Sequence, residues 1–204
     1  MAYATDEQIR KICNFTTNEI SDLTEQIAAA DKWLLSRITT KHELEAIDGI
    51  IDGSNTEFRV QEWPIADDDL DATVDKDDVE VFYATYSDPN QFIVYGAAQT
   101  VTSVVANDGI INVETAPTST TAECGVFANF RTWNVYEVDY DKFKLIASFA
   151  AAGFAQQKIM GAAPNYHIIE KNIRKNVAGG FYFNIAESMV SDIVKPAAGV
   201  VKHF

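Results

Sequence analysis

Apolar residues in the first fifty positions recur at helical spacing. A short helix is predicted to open at Thr5, and a longer one is predicted to follow Thr17. The longer helix carries a narrow apolar stripe in alternating three- and four-residue steps, made of Ile20, Leu23, Ile27, Ala30, Leu34 and Ile38. Thr40 and Glu43 have capping-box spacing and predict a third helix, which ends at the turn over residues 52–55.

The pattern changes over residues 58–138, where short β-rich runs alternate with turn residues. Val79 to Tyr86 predicts a strand that ends at a Ser-Asp-Pro-Asn turn. The clearest hairpin joins Thr100–Ala106 to Ile110–Val113 through Asn-Asp-Gly. About six short strands of this kind predict a small antiparallel sandwich or barrel.

Helical periodicity returns from Phe143 to about Met160, after Asp139 or Asp141 as the capping residue. Residues 147–155 are mostly alanine, and small side chains let neighbouring helices approach closely, so a central packed helix is predicted. Beyond it, Gly179-Gly180 is predicted to be a hinge and Phe181-Tyr182-Phe183 an edge strand.

Together these patterns predict an α+β protein: a helical bundle core with an inserted small antiparallel β domain and an extended C-terminal arm. The predicted divisions are N-terminal core helices over residues 1–57, the β-rich insertion over 58–138, the central core helix over 139–162 and a C-terminal docking arm over 163–204.

The composition and charge of the chain exclude several classes of protein. The 204 residues include 30 acidic and 16 basic side chains, for a formal net charge of −14, which argues against a dedicated nucleic-acid binder. The charge is uneven, because residues 1–138 carry a net −17 and residues 139–204 a net +3. No apolar run is long enough to span a bilayer, the first ten residues contain no signal-peptide core, and two cysteines do not make a disulfide scaffold.

The sharpest local feature is an aspartate-rich loop over residues 67–78. Five of its aspartates fall at positions 1, 3, 5, 9 and 12 of an EF-hand-like register: Asp67, Asp69, Asp71, Asp75 and Asp78. Ala72 replaces the usual glycine, the last ligand is the shorter aspartate, and Trp63-Pro64 stands where a helix should precede the loop. A solvated acidic loop is therefore the favoured interpretation, and a cation site is the alternative.

The histidines and cysteines of the chain give only weak signals for catalysis. His42, His167 and His203 have no partner at metal-ligand or triad spacing, and Cys13 and Cys124 have no histidine pairing signal. The histidines are expected at the surface or an interface, and the cysteines as small buried hydrophobes. A non-enzymatic protein without a cofactor or metal is predicted.

The predicted arm combines aromatic and basic residues, which are the side chains that dominate protein interfaces. Its proposed partner-binding residues are Arg174, Lys175, Phe181, Tyr182, Phe183, Lys195 and Phe204. The alternative is that the aromatic residues fill the protein's own core. The hinge before them favours an arm that docks on a neighbouring protein.

The order of elements resembles the head–tail connector (adaptor) proteins of tailed viruses of bacteria and archaea. The segments that carry the resemblance are "EQIAAADKWLLSRIT", "VVANDGIINVETAPTST" before "GVFANF", and "VDYDKFKLIASFAAAGFAQQKI". It implies a structural virion protein at the neck, made in the host cytoplasm, that forms a ring between portal and tail and extends the DNA channel.

The resemblance also implies the partners: the portal protein, copies of the chain in a twelve-fold ring, and head-closure or tail proteins. DNA would pass through the channel without sequence-specific binding, and no membrane is involved. The first alternative is another virion structural protein, such as a head-closure, tail-completion or decoration subunit. The second is a small metal-dependent hydrolase that uses the acidic loop.

Overall fold

A computed structural model describes residues 3–14, 20–68, 70–87, 92–118, 125–162 and 180–195. This part of the chain is mixed α+β, with four α-helices and two small antiparallel sheets. The chain divides into two compact units. Thr39–Trp133 form the β unit, and Met1–Ile38 with Asn134–Phe204 form the helical unit. The division lies earlier at both ends than the predicted insertion over residues 58–138.

The helical unit contains α1 (Asp6–Cys13), α2 (Thr24–Ile38), α3 (Tyr140–Ala162) and α4 (Gly180–Ile193). Local signals set where the first three helices begin. The Thr5 hydroxyl accepts the Gln8 N–H in a capping box, at the predicted start of α1. A side-chain oxygen of Asp22 accepts the N–H of Thr24 at 2.9 Å, and an oxygen of Asp139 accepts the N–H of Lys142 at 3.0 Å.

Helix α3 is the packed centre of this unit, and it contacts α1, α2 and α4. Its alanine-rich stretch is fully buried, as predicted: Ala147, Ala150, Ala151, Ala152 and Ala155 have no exposed surface. Small side chains let the other helices approach the α3 backbone closely. Phe143, at the start of α3, is buried against the rings of Tyr3 and Tyr140.

The chain leaves the helical unit and returns to it at one place. The N–H of Asn134 donates to the carbonyl of Ile38 at 2.7 Å. The returning segment is then fixed to the end of α4 by an antiparallel bridge between Val135 and Val194, and the Lys195 N–H donates to the Asn134 carbonyl at 3.0 Å. The two ends of the β unit are therefore held together within the helical unit.

A buried carboxyl group lies in α2. Asp31 is only 5% exposed, and one of its oxygens, Oδ1, has no hydrogen-bond partner in the described part of the chain. Burial raises the pKa of Asp31 above its ordinary value of 3.8, although backbone N–H groups of Ala4 and Tyr3 donate to the carboxyl group and oppose the rise. The charged form is thus disfavoured in the folded state.

Asp31→Asn is expected to raise the melting temperature at pH 7. A carboxyl group whose pKa is higher in the folded state stabilises the fold most below its unfolded pKa, and this stability is lost as the pH rises through the folded pKa. The neutral amide does not suffer this loss. Thermal denaturation should therefore show a difference in melting temperature between variant and wild type. This difference, the gap, should be greatest near neutral pH and should disappear as the pH falls to the ordinary range of aspartate pKa values. A gap that does not depend on pH would contradict the assignment.

The described part of the β unit has seven strands: β1 (Thr39–Ala46), β2 (Glu57–Arg59), β3 (Glu80–Ser87), β4 (Phe92–Gln99), β5 (Val101–Val105), β6 (Ile110–Val113) and β7 (Gly125–Trp133). They form one four-stranded sheet in the order β1-β7-β3-β4 and one three-stranded sheet in the order β2-β6-β5. All pairings are antiparallel. The predicted strand that ends at the Ser-Asp-Pro-Asn turn is β3, which pairs with β4, and the predicted β5–β6 hairpin is confirmed.

Both sheets contribute to one hydrophobic core. Phe58 of β2 and Ile111 of β6 meet Val81 of β3 and Phe130 of β7 in the same buried cluster. The hairpin before β6 turns at Gly109, whose φ of +67° is left-handed, and a Cβ there would lie 2.8 Å from Val60. Of the two predicted alternatives, a small antiparallel sandwich or barrel, two sheets over a shared core agree with the sandwich.

Three predicted elements are wrong. The third helix, based on Thr40 and Glu43, is strand β1, which pairs with β7 from Thr39–Trp133 onward. Pairing to β7 outweighs the local capping signal, and Glu43 contacts Lys41 instead. The edge strand at residues 181–183 is the first turn of α4. Helix α2 begins at Thr24 and not after Thr17, because Asp22 caps it there.

Candidate interaction site

The carboxylate of Asp67 organises the acidic loop from within. Asp67 is fully buried, and its two oxygens accept backbone N–H groups from Leu70 at 2.6 Å, Asp71 at 3.3 Å and Ala72 at 2.8 Å. Leu70 and Ala72 have φ values of +65° and +71°, a left-handed conformation that costs an L-residue roughly 1–2 kcal/mol. The carboxylate therefore holds a strained stretch of backbone in place.

Three further aspartates of the loop, Asp71, Asp75 and Asp78, also accept hydrogen bonds from its backbone. Asp78 is buried and accepts N–H groups from Asp68 and Asp75. Asp75 accepts from Asp77, and Asp71 accepts from Thr73. Asp69 lies outside the described residues. Across the described ranges, no group of three or more His, Cys, Asp or Glu side chains is arranged to hold a metal ion.

Asp67→Ala is expected to lower the stability of the β unit by about 2 kcal/mol, because part-buried backbone N–H groups of the loop lose the carboxylate that accepts them and a hydrogen bond to a charged group contributes roughly 1.5–3 kcal/mol. Asp77→Ala removes the same charge from an exposed position and should change stability by less than about 0.5 kcal/mol. Urea denaturation measures the free energy of unfolding of both variants.

Millimolar Ca²⁺ should leave the wild-type melting temperature unchanged. A rise in melting temperature that Asp67→Ala abolishes would instead identify a cation site.

His42 is buried in β1, whereas the sequence placed it on the surface of a helix. Its Nδ1 lies 2.6 Å from Glu45, its Nε2 lies 3.0 Å from the Thr132 hydroxyl, and its ring stacks on Phe130. The order carboxylate, imidazole, hydroxyl resembles a hydrolytic triad. Thr132 is only 6% exposed and belongs to strand β7, so the hydroxyl is not presented to a substrate. The cluster links β1 to β7.

A polar cleft of about 250 Å³ lies beside this cluster. Its lining contains both signs of charge: Lys41, Asp68, Asp77, Asp78, Glu80, Asn129, Phe130 and Arg131. Several of its charged groups are already engaged, since Arg131 pairs with Asp68 and Asn129 donates to Glu80 at 2.9 Å. The lining has four acidic and two basic side chains, and both basic ones are paired with carboxylates, so the cleft does not favour an anionic ligand.

Cys13 is half-buried at the end of α1, near Tyr182. Burial raises the pKa of its thiol to about 11, so the thiolate that a nucleophile requires is scarce at neutral pH. The partial burial agrees with the predicted role as a small hydrophobe. Cys124 lies outside the described residues.

The aromatic residues of the predicted arm differ in their surroundings. The ring of Phe183 contacts Phe154 of α3 and Trp33 of α2, with centroids 4.7 and 5.9 Å away. Tyr182 stacks on Phe149 of α3 at 6.5 Å. Phe181 is 65% exposed. Residues 180–193 thus pack as a helix of the helical unit, where the sequence predicted a docking arm.

Phe181 and the exposed Lys195 are the predicted arm residues that this structure leaves accessible. Arg174, Lys175 and Phe204 lie outside the described residues. The interpretation that aromatic side chains fill the protein's own core describes Phe183 well and describes Phe181 poorly.

A second accessible surface lies on the edge of the four-stranded sheet. Strand β4 exposes residues on both faces, including Ile93, Val94 and Tyr95, which are 46, 49 and 37% exposed. It continues through Thr100 into β5, which is an edge strand of the other sheet. From Val81 to Asn107 the chain contains a single charged residue, Asp88. We call β4 and its exposed side chains the uncharged edge.

The sequence analysis did not single out this surface. Its signal was present as a long stretch with a single charged residue in a chain that is 23% charged. Such a stretch equally fits a buried strand, and only the sheet order places it at an edge.

Comparison with protein-family models, curated proteins and solved structures found no match. None of the described helices combines the length and the apolar character needed to cross a membrane.

Proposed function

We propose that the protein is a structural subunit of a tailed virus, a head–tail adaptor that forms a ring between portal and tail and extends the DNA channel. The helices would form the bundle core of each subunit, and the β unit would be a module inserted into it. The proposal rests on the resemblance in element order and on the features below.

The observation that carries the proposal is the closure of the helical unit around the ends of the β unit. With the Asn134 N–H 2.7 Å from the Ile38 carbonyl, the chain leaves and re-enters at one point between α2 and α3. An adaptor body can accept an insertion at such a point without rearranging its helices, because the ends of the insertion are adjacent.

The charge distribution suits a protein beside a DNA channel. The net charge of −14 repels phosphate groups, so an acidic channel wall would let the duplex slide without binding. The mildly basic last third, residues 139–204, would face a protein partner instead. Exposed Phe181 gives that part of the chain an aromatic anchor of the kind found at interfaces.

The test is assembly with the portal protein encoded in the same viral genome. We expect the purified protein to form rings on the portal that are visible by negative-stain electron microscopy, with a native mass that gives the number of copies. Phe181→Ala should weaken attachment, whereas Leu145→Ala, which truncates another exposed apolar residue in the helical unit, should not. Failure to bind the portal, or binding to the capsid surface or the tail tube, would overturn the adaptor assignment.

A further inference from the structure

Exposed sheet edges pair readily with other chains, and most proteins protect them with charges, proline or bulges. The opposite edge of the same sheet, β1, is protected in this way. It contains Lys41, Glu43 and Glu45, and its register shifts between His42 and Glu45. Strand β4 has the sequence FIVYGAAQ, which contains no charge and no proline. Its pairing with β3 shifts register between Phe82 and Ala84, which places a bulge at Gly96–Ala97 and leaves the run Phe92–Tyr95 regular. In the described part of the chain, no strand pairs with its outer edge.

The charge of the whole chain limits what can cover this edge. A basic partner would be attracted to the acidic surface, where most of the net charge of −14 lies, and would gain nothing electrostatic from a neutral strand. Two copies of this chain repel one another everywhere except where charge is absent. The uncharged edge is therefore the surface on which two copies can approach most closely.

We propose that the uncharged edge binds a second copy of this chain, with β4 of one copy pairing antiparallel to β4 of the other. The pairing is between identical strands because the other edges of the β unit are less suitable. Strand β1 is charged, β2 has only three residues, and β5 has five residues with a register shift between Val101 and Ser103. Antiparallel pairing of identical strands is two-fold symmetric and places the same patch on both copies. Ile93, Val94 and Tyr95 would be covered in the pair.

This inference does not depend on the proposed function. A ring closes through contacts between different patches, whereas a β4–β4 contact is two-fold and joins only two copies. A variant that loses the two-fold contact can therefore still be tested for ring formation on the portal.

Sedimentation velocity over a range of protein concentrations tests the proposal on the full chain. We expect a monomer–dimer equilibrium that shifts toward dimer between 0.1 and 1 M NaCl, because the Debye length falls from about 10 to about 3 Å and like-charged copies repel less. Val94→Lys should raise the dissociation constant of the dimer about tenfold or more, since it places a like charge on both sides of the contact.

Ile50→Lys is the matched control, because it adds the same charge to a residue of the β unit that is 69% exposed and lies outside the uncharged edge. It should leave the dissociation constant within about twofold of the wild-type value, a change of about 0.4 kcal/mol. Ile93→Lys provides a second edge variant if Val94→Lys lowers the melting temperature. Circular dichroism establishes that each variant is folded.

Two results would overturn the proposal. One is a wild-type protein that stays monomeric at all concentrations and both salt levels, which would assign the edge to another segment or another partner. The other is a dimer whose dissociation constant is changed equally by Ile50→Lys and the edge variants, which would place the contact elsewhere.

Discussion

Replacing residues 39–133 with a Gly-Ser-Gly linker is expected to leave a folded, soluble protein that retains all four helices. The linker has little distance to cover, because the Ile38 carbonyl and the Asn134 N–H are already 2.7 Å apart. The contacts that bind the returning segment to α4 also remain, including the bridge between Val135 and Val194. Far-ultraviolet circular dichroism and a cooperative thermal transition measure the outcome.

Excision of residues 58–138 is the matched control, and it should fail. It leaves β1 without β7, its pairing partner, and it removes the segment from Asn134 onward that bridges to the end of α4. The shortened chain should aggregate, because an unpaired strand is exposed. If both deletions behave alike, the boundary between the two units is not at residues 39 and 133.

Truncation after Ala178 is expected to unfold the helical unit. It removes α4, whose buried residues Ala186, Val190 and Ile193 are 0, 7 and 7% exposed. It also removes Phe183 from its contacts with Trp33 and Phe154. Loss of one large buried aromatic side chain typically costs about 3–5 kcal/mol, and a whole helix costs more, against a total stability of about 5–15 kcal/mol. Thermal denaturation should show a lost or strongly lowered transition.

Truncation after Lys195 separates folding from docking. It retains α4 and the hydrogen bond from Lys195 to the Asn134 carbonyl, so the melting temperature should stay within a few degrees of the wild-type value. If residues 196–204 take part in docking, this protein should fold and fail to attach to the portal. A folded helical unit after truncation at Ala178 would show that α4 is dispensable and would restore the predicted arm over residues 163–204.

Elements with strong local signals could be predicted from the sequence. The helix start at Thr5, the alanine-rich α3 and the Asn-Asp-Gly hairpin each depend on residues that are close in the chain. Their energetics are decided within one or two turns of backbone. The structure therefore reproduces these elements with boundaries that differ by only a few residues.

Elements that depend on distant partners could not be predicted in the same way. Residues 39–46 have a helix-start pattern, yet they pair with β7, which is more than eighty residues later in the chain. Residues 181–183 have the aromatic composition of a strand, yet they form a helix because Phe183 reaches Trp33 and Phe154. In both cases tertiary contacts outweigh a weak local preference.

The candidate sites also combine features that are evident in the sequence with features that only the structure shows. The position of the acidic loop was evident from its aspartates, but the direction of each carboxylate was not. The structure turns Asp67 and Asp78 inward to the backbone of the loop. Likewise, the near absence of charge from Val81 to Asn107 is a property of the sequence, whereas the exposure of β4 at an edge follows from the order β1-β7-β3-β4.

By itself, the sequence determined the charge of −14, the mixed α+β class, the packed α3 and the presence of an antiparallel β module. Only the tertiary structure decided where that module begins, that α4 belongs to the helical unit, and which strands lie at the sheet edges. The reason is physical. Composition is read directly from the chain, and short-range hydrogen bonds depend on residues that are close in it, whereas strand pairing and burial depend on which distant surfaces meet.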